Sequence, residues 1–494
     1  MNIALWLARS AERYPQQSAI AHGTEVWCDY AEFARRAART AHWLRAQGVQ
    51  AGDRVVLFMH NAPEYLPLMW GLWWCGAVAV PVNAKLHERE AAWIAGHSEA
   101  RLALVDEERA SGLQQALHEI KATTQVQADH SFMQQAHGPQ LALQPREDDD
   151  PAWLFYTSGT TGRPKGVVLC GRQLQGCALA YLASVQSVQR GDTMLHPAPL
   201  SHGGGMYHLP YVLNAGLNVV PRSDGFDPHE ALALAAHWQR ASFFAAPTMV
   251  RRLVDAARTL PERPQGLATI VYGGGPMYLA DIEEAMQVIG PHFAQIYGQG
   301  ECPMTISVLP RDTINHSAHP RWREQLRSVG TAQSMVEVCI RDGEGGAVAL
   351  RVVQQRVKGE QAALRIRSGN GDAVGQQGAA FWLRMLLQRI LNDVPELERL
   401  RLSSIDSVEA DDHLTRAALD RADLVDHVGG QFRRSDIHVA PAEADAIRVG
   451  DMRPDRNTVL GGSLRSKRPS CTIFERFGRV VRNRGRLGVG GVAA

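Results

Sequence analysis

The sequence predicts an α/β fold of parallel sheets covered by helices, and three observations carry that expectation. Strand and helix signals alternate through residues 1–150 and again from 151 to about 320, which implies a parallel sheet with helices on its faces. The apolar stretch LPLMWGLWWCGAVAVPV, residues 66–82, reads as a buried helix followed by a buried strand. Several strand signals run straight into small polar or glycine-rich loops, as in WLFYTSGTTG, ASFFAAPTM and LATIVYGGGPM.

Length and composition agree with this. The 494 residues suffice for about three domains of ~150 residues each. With 45% hydrophobic and 21% charged residues, the chain as a whole is neither disordered, collagenous nor a coiled coil. Lys+Arg 52 against Asp+Glu 51 leaves a formal charge of +1, so no global basic field draws in nucleic acid or an anionic membrane. The seven cysteines, at 28, 75, 170, 177, 302, 339 and 471, are odd in number and contain no CxxC pair. That argues against a disulfide framework or a cysteine zinc site, and a reducing cytoplasm fits best. The opening MNIALWLARSAERYPQQ has no cationic region before its apolar stretch, so no secretory signal is expected. The 66–82 stretch, interrupted by Pro67, Gly71, Gly76 and Pro81, falls short of the ~20 residues of a membrane-spanning helix.

In chain order, Asp29 with Glu32 three residues on is a capping-box signal, and Phe33, Ala37, Ala41 and Leu44 continue a helix that Gly48 stops. GDRVVLFM (52–59), CGAVAVPV (75–82) and ARLALVD (100–106) read as strands. Residues 107–150 are polar and end in the acids 147–150, a variable connection into a second unit. Asp227-Pro228-His229-Glu230 is a strong helix start, with a cap, a proline at the first helical position and an acid in the first turn. Residues 351–494 differ in character: they hold 22 Arg, two Lys and no Tyr, whereas all ten tyrosines precede residue 298. An amphipathic helix is expected over 381–394, and the Arg/Gly-rich end carries little periodicity.

The chemistry concentrates in Tyr156-Thr157-Ser158-Gly159-Thr160-Thr161-Gly162-Arg163-Pro164-Lys165-Gly166. Glycines let the backbone turn tightly and bring N–H groups to an anion. The hydroxyls add donors and Lys165 a positive charge, a combination suited to a polyphosphate. It is not a Walker A loop, since Pro164 and Gly166 stand where GxxxxGK(S/T) needs Gly and Ser/Thr. A plain Gly/Ser/Thr linker would not usually follow WLFY and end in Pro-Lys-Gly.

This segment resembles the phosphate loop of the adenylate-forming superfamily, whose pattern is (S/T)SGTTGxPKG: acyl- and aryl-CoA synthetases, firefly-type luciferases and peptide-synthetase adenylation domains. Further family-like segments follow in order. Pro199 to His208 (PLSHGGGMYH) resembles PxxHxxG, which implies a substrate pocket at His202, Gly204, Gly205 and Met206. Gly274-Gly275-Pro276 resembles GGAP, implying backbone at the border of adenine. Tyr297-Gly298-Gln299-Gly300-Glu301 resembles YGxTE, with Tyr297 stacking on adenine and Glu301 holding Mg²⁺. One protein carboxylate suffices there, because magnesium keeps phosphate oxygens and waters. Gly300 stands where the family has Thr, so one phosphate or magnesium contact is expected to be missing or supplied by water. Ser328-Val329-Gly330 followed by VEVCIRD resembles the entry into a next sheet. Together the segments cover roughly residues 1–345.

The resemblance implies two α/β subdomains, at 1–150 and 151–325, then a partial β-barrel beginning at 326–350, and leaves 351–494 as an atypical C-terminal region. The family's TGD and DRxKD motifs and its C-terminal catalytic lysine are not intact. Residues 404–430 echo them faintly, with Asp420-Arg421 at the hinge and Ser404 where the ribose-binding Asp belongs. Abundant Arg with scarce Lys and Tyr is compatible with a shifted reading frame after about residue 345.

The implied activity is ATP-dependent acid–CoA ligation, with ATP, Mg²⁺ and coenzyme A, on a fatty or aromatic carboxylic acid. Lys165, Thr160 and Glu301 would be catalytic, and Thr157 to Gly162, Lys165, Gly274 to Pro276 and Tyr297 to Gln299 would bind ATP. Peptide-synthetase domains carry FDxS where this chain has LSHG, so no acid is placed to meet an amino group. Losing the lysine's electrostatic contact costs ~10²–10³ in rate by analogy with oxyanion-hole donors, so weak or absent activity is expected. Transfer to a carrier protein, or a non-catalytic nucleotide-binding remnant, are the alternatives. Homo-oligomerisation stays open.

Overall fold

The computed structural model describes residues 1–134, 139–157, 164–223, 225–342 and 362–366. Met1–Val338 is one compact unit, and the few described residues from Cys339 onward fall outside it. The strands, in chain order, are β1 (Ser18–His22), β2 (Glu25–Asp29), β3 (Arg54–Phe58), β4 (Val78–Pro81), β5 (Leu102–Val105), β6 (Gln125–Gln127), β7 (Pro151–Thr157) and β8 (Lys165–Cys170). They continue as β9 (Thr193–Leu195), β10 (Leu217–Val220), β11 (Ala241–Ala245), β12 (Leu267–Tyr272), β13 (Phe293–Tyr297), β14 (Ser307–Leu309), β15 (Thr331–Ala332), β16 (Val338–Asp342) and β17 (Ala362–Ile366).

One sheet has the order β6-β5-β3-β4-β7-β8, parallel except for β8. The other has the order β15-β14-β13-β12-β11-β9-β10-β1-β2. Its middle, from β13 to β1, is parallel; β14 pairs antiparallel with β13, β15 antiparallel with β14 and β2 antiparallel with β1. The α/β expectation therefore holds. The sheets, however, do not divide at residue 150. The hairpin β7–β8 completes the first sheet, and β1–β2, from the start of the chain, complete the far edge of the second. Local apolar pattern marks strands but says nothing about which distant strand each will pair with. Residues 107–150, read as a connection, also hold a helix (Glu107–Glu119) and the edge strand β6.

The local signals work as physics requires. Asp29 Oδ1 accepts from the Glu32 amide at 2.8 Å and caps the helix Tyr30–Ala46. Glu32 leaves the reciprocal half of the box unmade and pairs instead with Arg35, Arg36 and Arg39. Asp227 Oδ1 likewise accepts from the Glu230 amide at 2.8 Å, with Pro228 opening the helix Pro228–Trp238. The helix Tyr65–Trp74 is buried nearly all round, which is why its sequence is apolar on every face.

That helix crosses Tyr30–Ala46 at Gly71. A Cβ there would lie 2.5 Å from Thr40 Cβ and 2.9 Å from the Ala37 carbonyl oxygen. Both obstacles belong to a packed helix and cannot swing aside. Gly71→Ala is therefore expected to lower unfolding free energy by about 1–3 kcal/mol, read as a shifted urea midpoint at unchanged m-value; an unshifted midpoint would show that the helix pair yields.

Beyond the first unit, β16 and β17 form a two-stranded sheet, which is as far as the expected β subdomain is described. The expected helix at 381–394 and the echo at 404–430 lie outside the described residues. No helix among the described residues is long and apolar enough to cross a membrane.

Candidate active site

The phosphate segment is the mouth of an antiparallel hairpin. Thr157, the last residue of β7, lies opposite Lys165, the first of β8. Between them, Ser158, Gly159, Thr160, Thr161 and Gly162 fall outside the described residues. The hairpin is anchored by Trp153, fully buried, and Phe155, 6% exposed. Gly166 has a packing reason: a Cβ there would meet the Tyr156 ring at 2.9 Å. Tyr156 in turn packs on Trp93 and His97, its hydroxyl 2.8 Å from His97 Nδ1. The Lys165 side chain is exposed.

The other motif segments sit at the C-terminal ends of neighbouring parallel strands, where open α/β sheets bind ligands. After β9 the chain reaches His202 and a 3-10 turn, Gly203–Tyr207. The His202 ring stacks on Phe155, centroids 5.2 Å apart at 29°. Neighbouring protein lowers the His202 pKa by desolvation, although one side of the residue is open to solvent and water there screens the effect. A Cβ on Gly204 would lie 2.9 Å from Phe244, and one on Gly205 would lie 2.0 Å from the Leu200 carbonyl oxygen. Met206 turns the other way: it has no exposed surface and packs in the core with Trp70 and Trp73. Of the four residues that the sequence places in a substrate pocket, His202 is the exposed one and Met206 is enclosed. His208 also points inward, against Trp70 and Trp73, with neither ring nitrogen partnered among the described residues.

Asn61, which carried no recognisable signal in the sequence, holds this segment. Its Nδ2 donates to the carbonyls of His196 at 3.0 Å and Ala198 at 2.8 Å, and its Oδ1 accepts from the Leu200 amide at 2.8 Å. The loop after β3 is thereby tied to the loop after β9.

The loops after β12 and β13 lie side by side, since Tyr272 pairs with Gln295. Gly273 lets the strands touch, a Cβ there falling 2.6 Å from the Ile296 carbonyl oxygen, and Gly274 takes φ +76°. Gly275 faces Pro247 at 3.5 Å, and Pro276 is half-buried. Tyr297 is 6% exposed; its hydroxyl accepts from Gln299 Nε2 at 2.8 Å, and burial pushes its pKa up to about 12. Gln299 and Cys302 exchange two backbone hydrogen bonds of 3.2 Å, so Gly300 and Glu301 form the tip of a tight turn. Gly298 is required by the returning turn: a Cβ would lie 2.3 Å from the Met304 amide nitrogen, and Met304 itself has φ +63°.

Two contacts join the motifs across the sheets. One is the Phe155–His202 stack. The other is Gly300 against Thr157, where a Cβ would come within 2.6 Å of Thr157 Cγ2. Glu301, half-buried at the turn tip, offers a single carboxylate beside the hairpin mouth, which suits a magnesium ion already carried by phosphates. The one cluster of metal-ligand type among the described residues, His60, Asp106 and Glu108, lies elsewhere. Arg109 occupies its surroundings, Nη2 at 3.2 Å from His60 Nε2 and Nε at 3.6 Å from Asp106, so one positive charge already stands against its two carboxylates.

Comparison with known proteins bears on this arrangement. A family profile described as AMP-binding enzyme matches residues 7–368. A feruloyl-CoA synthase from Amycolatopsis is 30% identical over 351 residues, 70% of this chain and 69% of that protein. A fatty acid–acyl-carrier-protein ligase, ScoC from Streptomyces coeruleorubidus, is 31% identical over 325 residues, 64% of this chain and 61% of its own length. The crystal structure of the N-terminal domain of FACL13 from Mycobacterium tuberculosis matches with a TM-score of 0.61 at 25% identity, covering 70% of this chain and 86% of that one.

Proposed function

The chain belongs to the AMP-binding enzyme family, and we propose that it is an ATP-dependent carboxylic acid–CoA ligase acting through an acyl-adenylate. The observation that carries this reading is the meeting of the phosphate hairpin with the His202 segment and the Glu301 turn, through Phe155 on His202 and Thr157 on Gly300. The acid's carboxylate oxygen attacks the α-phosphorus of ATP, and pyrophosphate leaves. The sulfur of coenzyme A then attacks the acyl carbonyl, and AMP leaves. No side-chain nucleophile takes part, so the protein's work is positioning and charge stabilisation.

Lys165 and the loop it ends meet the phosphates. Glu301, at the turn tip, would hold a magnesium ion, which would supply positive charge to the phosphates. The backbone at Gly274 to Pro276 borders adenine, and Tyr297, fixed by Gln299, flanks it. His202 stands at the entry of a fatty or aromatic acid. The setting in this reading is a reducing cytoplasm, on the wide spacing and odd number of the seven cysteines. A second reading, transfer of the acyl group to a carrier-protein thiol, is favoured by the 31% identity to ScoC.

The test is ATP–pyrophosphate exchange by the full chain across a panel of fatty and aromatic acids, followed by trapping with coenzyme A or with a carrier thiol. Slow exchange with one acid class is the expected result, in line with the missing C-terminal lysine, and the trapping arm separates the two readings. ATP bound without exchange would instead mark a nucleotide-binding protein that does not adenylate.

A further inference from the structure

Asn61 commits nearly all of its hydrogen-bonding capacity to one stretch of backbone. A carboxamide has two N–H donors and an acceptor oxygen. Here both donors go to the carbonyls of His196 and Ala198, at 3.0 and 2.8 Å, and the oxygen accepts from the Leu200 amide at 2.8 Å. The group fits this stretch only one way round, since the reverse would set its oxygen against two carbonyl oxygens. From Leu200 the chain turns directly into the segment that bears His202. The His202 amide donates to the Pro199 carbonyl at 3.1 Å, and the Gly205 amide to the His202 carbonyl at 2.9 Å. Asn61 itself is held from behind. One oxygen of Asp106, just after β5, accepts from the His60 amide at 2.9 Å and from His60 Nδ1 at 2.8 Å. Arg109 Nη2 stands 3.2 Å from His60 Nε2. A guanidinium only donates, so Nε2 accepts and Nδ1 carries the proton directed at Asp106. A chain of contacts thus runs from Asp106 through His60 and Asn61 to Leu200 and the His202 turn.

We propose that Asn61 is a positioning residue for the acid: it sets where the His202 segment stands, and Asp106, through His60, sets where Asn61 stands. This rests on the ligase reading above and goes beyond it by separating the two substrates. The Asn61 bonds reach the segment at which the acid enters, whereas ATP meets the β7–β8 hairpin and the loops after β12 and β13. A displacement of the His202 segment by about 1 Å is enough to weaken a correctly oriented acid. The hairpin keeps its own anchors, Trp153 and Phe155, which are buried. Asn61 touches neither substrate in this scheme and acts only through the backbone from His196 to Leu200.

The experiment uses the full chain and three readouts: KM for the acid in ATP–pyrophosphate exchange, affinity for Mg·ATP by titration calorimetry, and hydrogen exchange at the Leu200 amide. Asn61→Ala is expected to raise the acid KM about tenfold or more while Mg·ATP affinity stays within about twofold of the parent, and to speed exchange at Leu200. Asp106→Ala leaves the Asn61 carboxamide in place and is expected to raise the acid KM by a smaller factor with the same split; it decides the matter if Asn61→Ala does not fold. The double variant is expected to match Asn61→Ala alone, because Asp106 acts through Asn61. Equal losses of acid and Mg·ATP binding in the single variants show a general structural role and overturn the proposal. An unchanged acid KM in Asn61→Ala also overturns it, and multiplied effects in the double variant overturn the part given to Asp106. A parent chain that binds Mg·ATP but exchanges with no acid overturns the ligase reading itself, and this proposal with it.

Discussion

Gly205→Ala is expected to be among the most damaging single-methyl additions this protein can receive, lowering unfolding free energy by about 3 kcal/mol or more. Its Cβ would lie 2.0 Å from the Leu200 carbonyl oxygen, 2.6 Å from its carbon and 2.7 Å from its Cα. All three are backbone atoms, so no rotamer change relieves the clash. The Leu200 backbone cannot retreat freely either, because its amide is held by Asn61 at 2.8 Å. Overpacking typically costs 1–3 kcal/mol and more where neighbours are fixed. Displacing Leu200 also drags on the bonds from Asn61 to His196 and Ala198, so the segment bearing His202 moves with it. Urea unfolding gives the stability. A midpoint within error of the parent would mean that the 199–205 turn is far softer than its hydrogen bonding implies.

Acid is expected to be nearly as damaging, and for a reason that lies in two histidines. His196 is fully enclosed; burial pulls its pKa down from 6.5 to about 4, partly opposed by a 3.1 Å hydrogen bond to Asn218. Burial also pulls the His208 pKa well down, with His196 adding a like-charge contribution. The sign follows from proton uptake. The unfolded chain protonates these rings near pH 6.5 and the folded chain resists, so stability present at pH 7 is lost progressively as the pH falls toward 4. For His196 the interval from about 6.5 to about 4 corresponds to roughly 3 kcal/mol at 1.36 kcal/mol per pK unit. Unfolding midpoints at pH 7, 5.5 and 4.5 should therefore drop steeply, and His208→Leu, which removes one of the two rings, should flatten the decline. An identical acid limb in parent and variant would remove His208 from the account.

What the sequence discloses is what short-range chemistry determines. Asp29 and Asp227 cap helices because a carboxylate placed one residue before an apolar-periodic run has an amide to accept from. The 66–82 stretch becomes a helix and a strand because its apolar residues leave no face for water. The motif loops fall at strand ends because glycines there are tolerated only where the backbone turns or closely approaches its neighbour. What the sequence withholds is long-range. Nothing in SAIAH announces that β1 will lie beside β10, some two hundred residues away. Nothing around Asn61 announces its three partners, and Met206 stands within a pocket-like motif yet is carried into the core by the turn that begins at Gly203. Gly300 is an informative departure: as a sequence feature it reads as a lost contact, and in the fold it is the space that Thr157 occupies.

The exchange of strands between the two sheets constrains how the molecule can be made. β4 has no partner on one side until β7 has been synthesised, and β1, among the first strands to leave the ribosome, has none on one side until β10 follows. Neither half can close its sheet alone, so a nascent chain of 150 residues exposes an open parallel edge, the kind of edge that invites pairing with another chain. The pairing of β1 with β10 spans nearly the whole distance between the ends of the first subdomain and the middle of the second, and such distant closures slow folding. Assembly of this protein is accordingly expected to finish late, with chaperone demand lasting from the appearance of β4 until β10 has emerged to pair with β1.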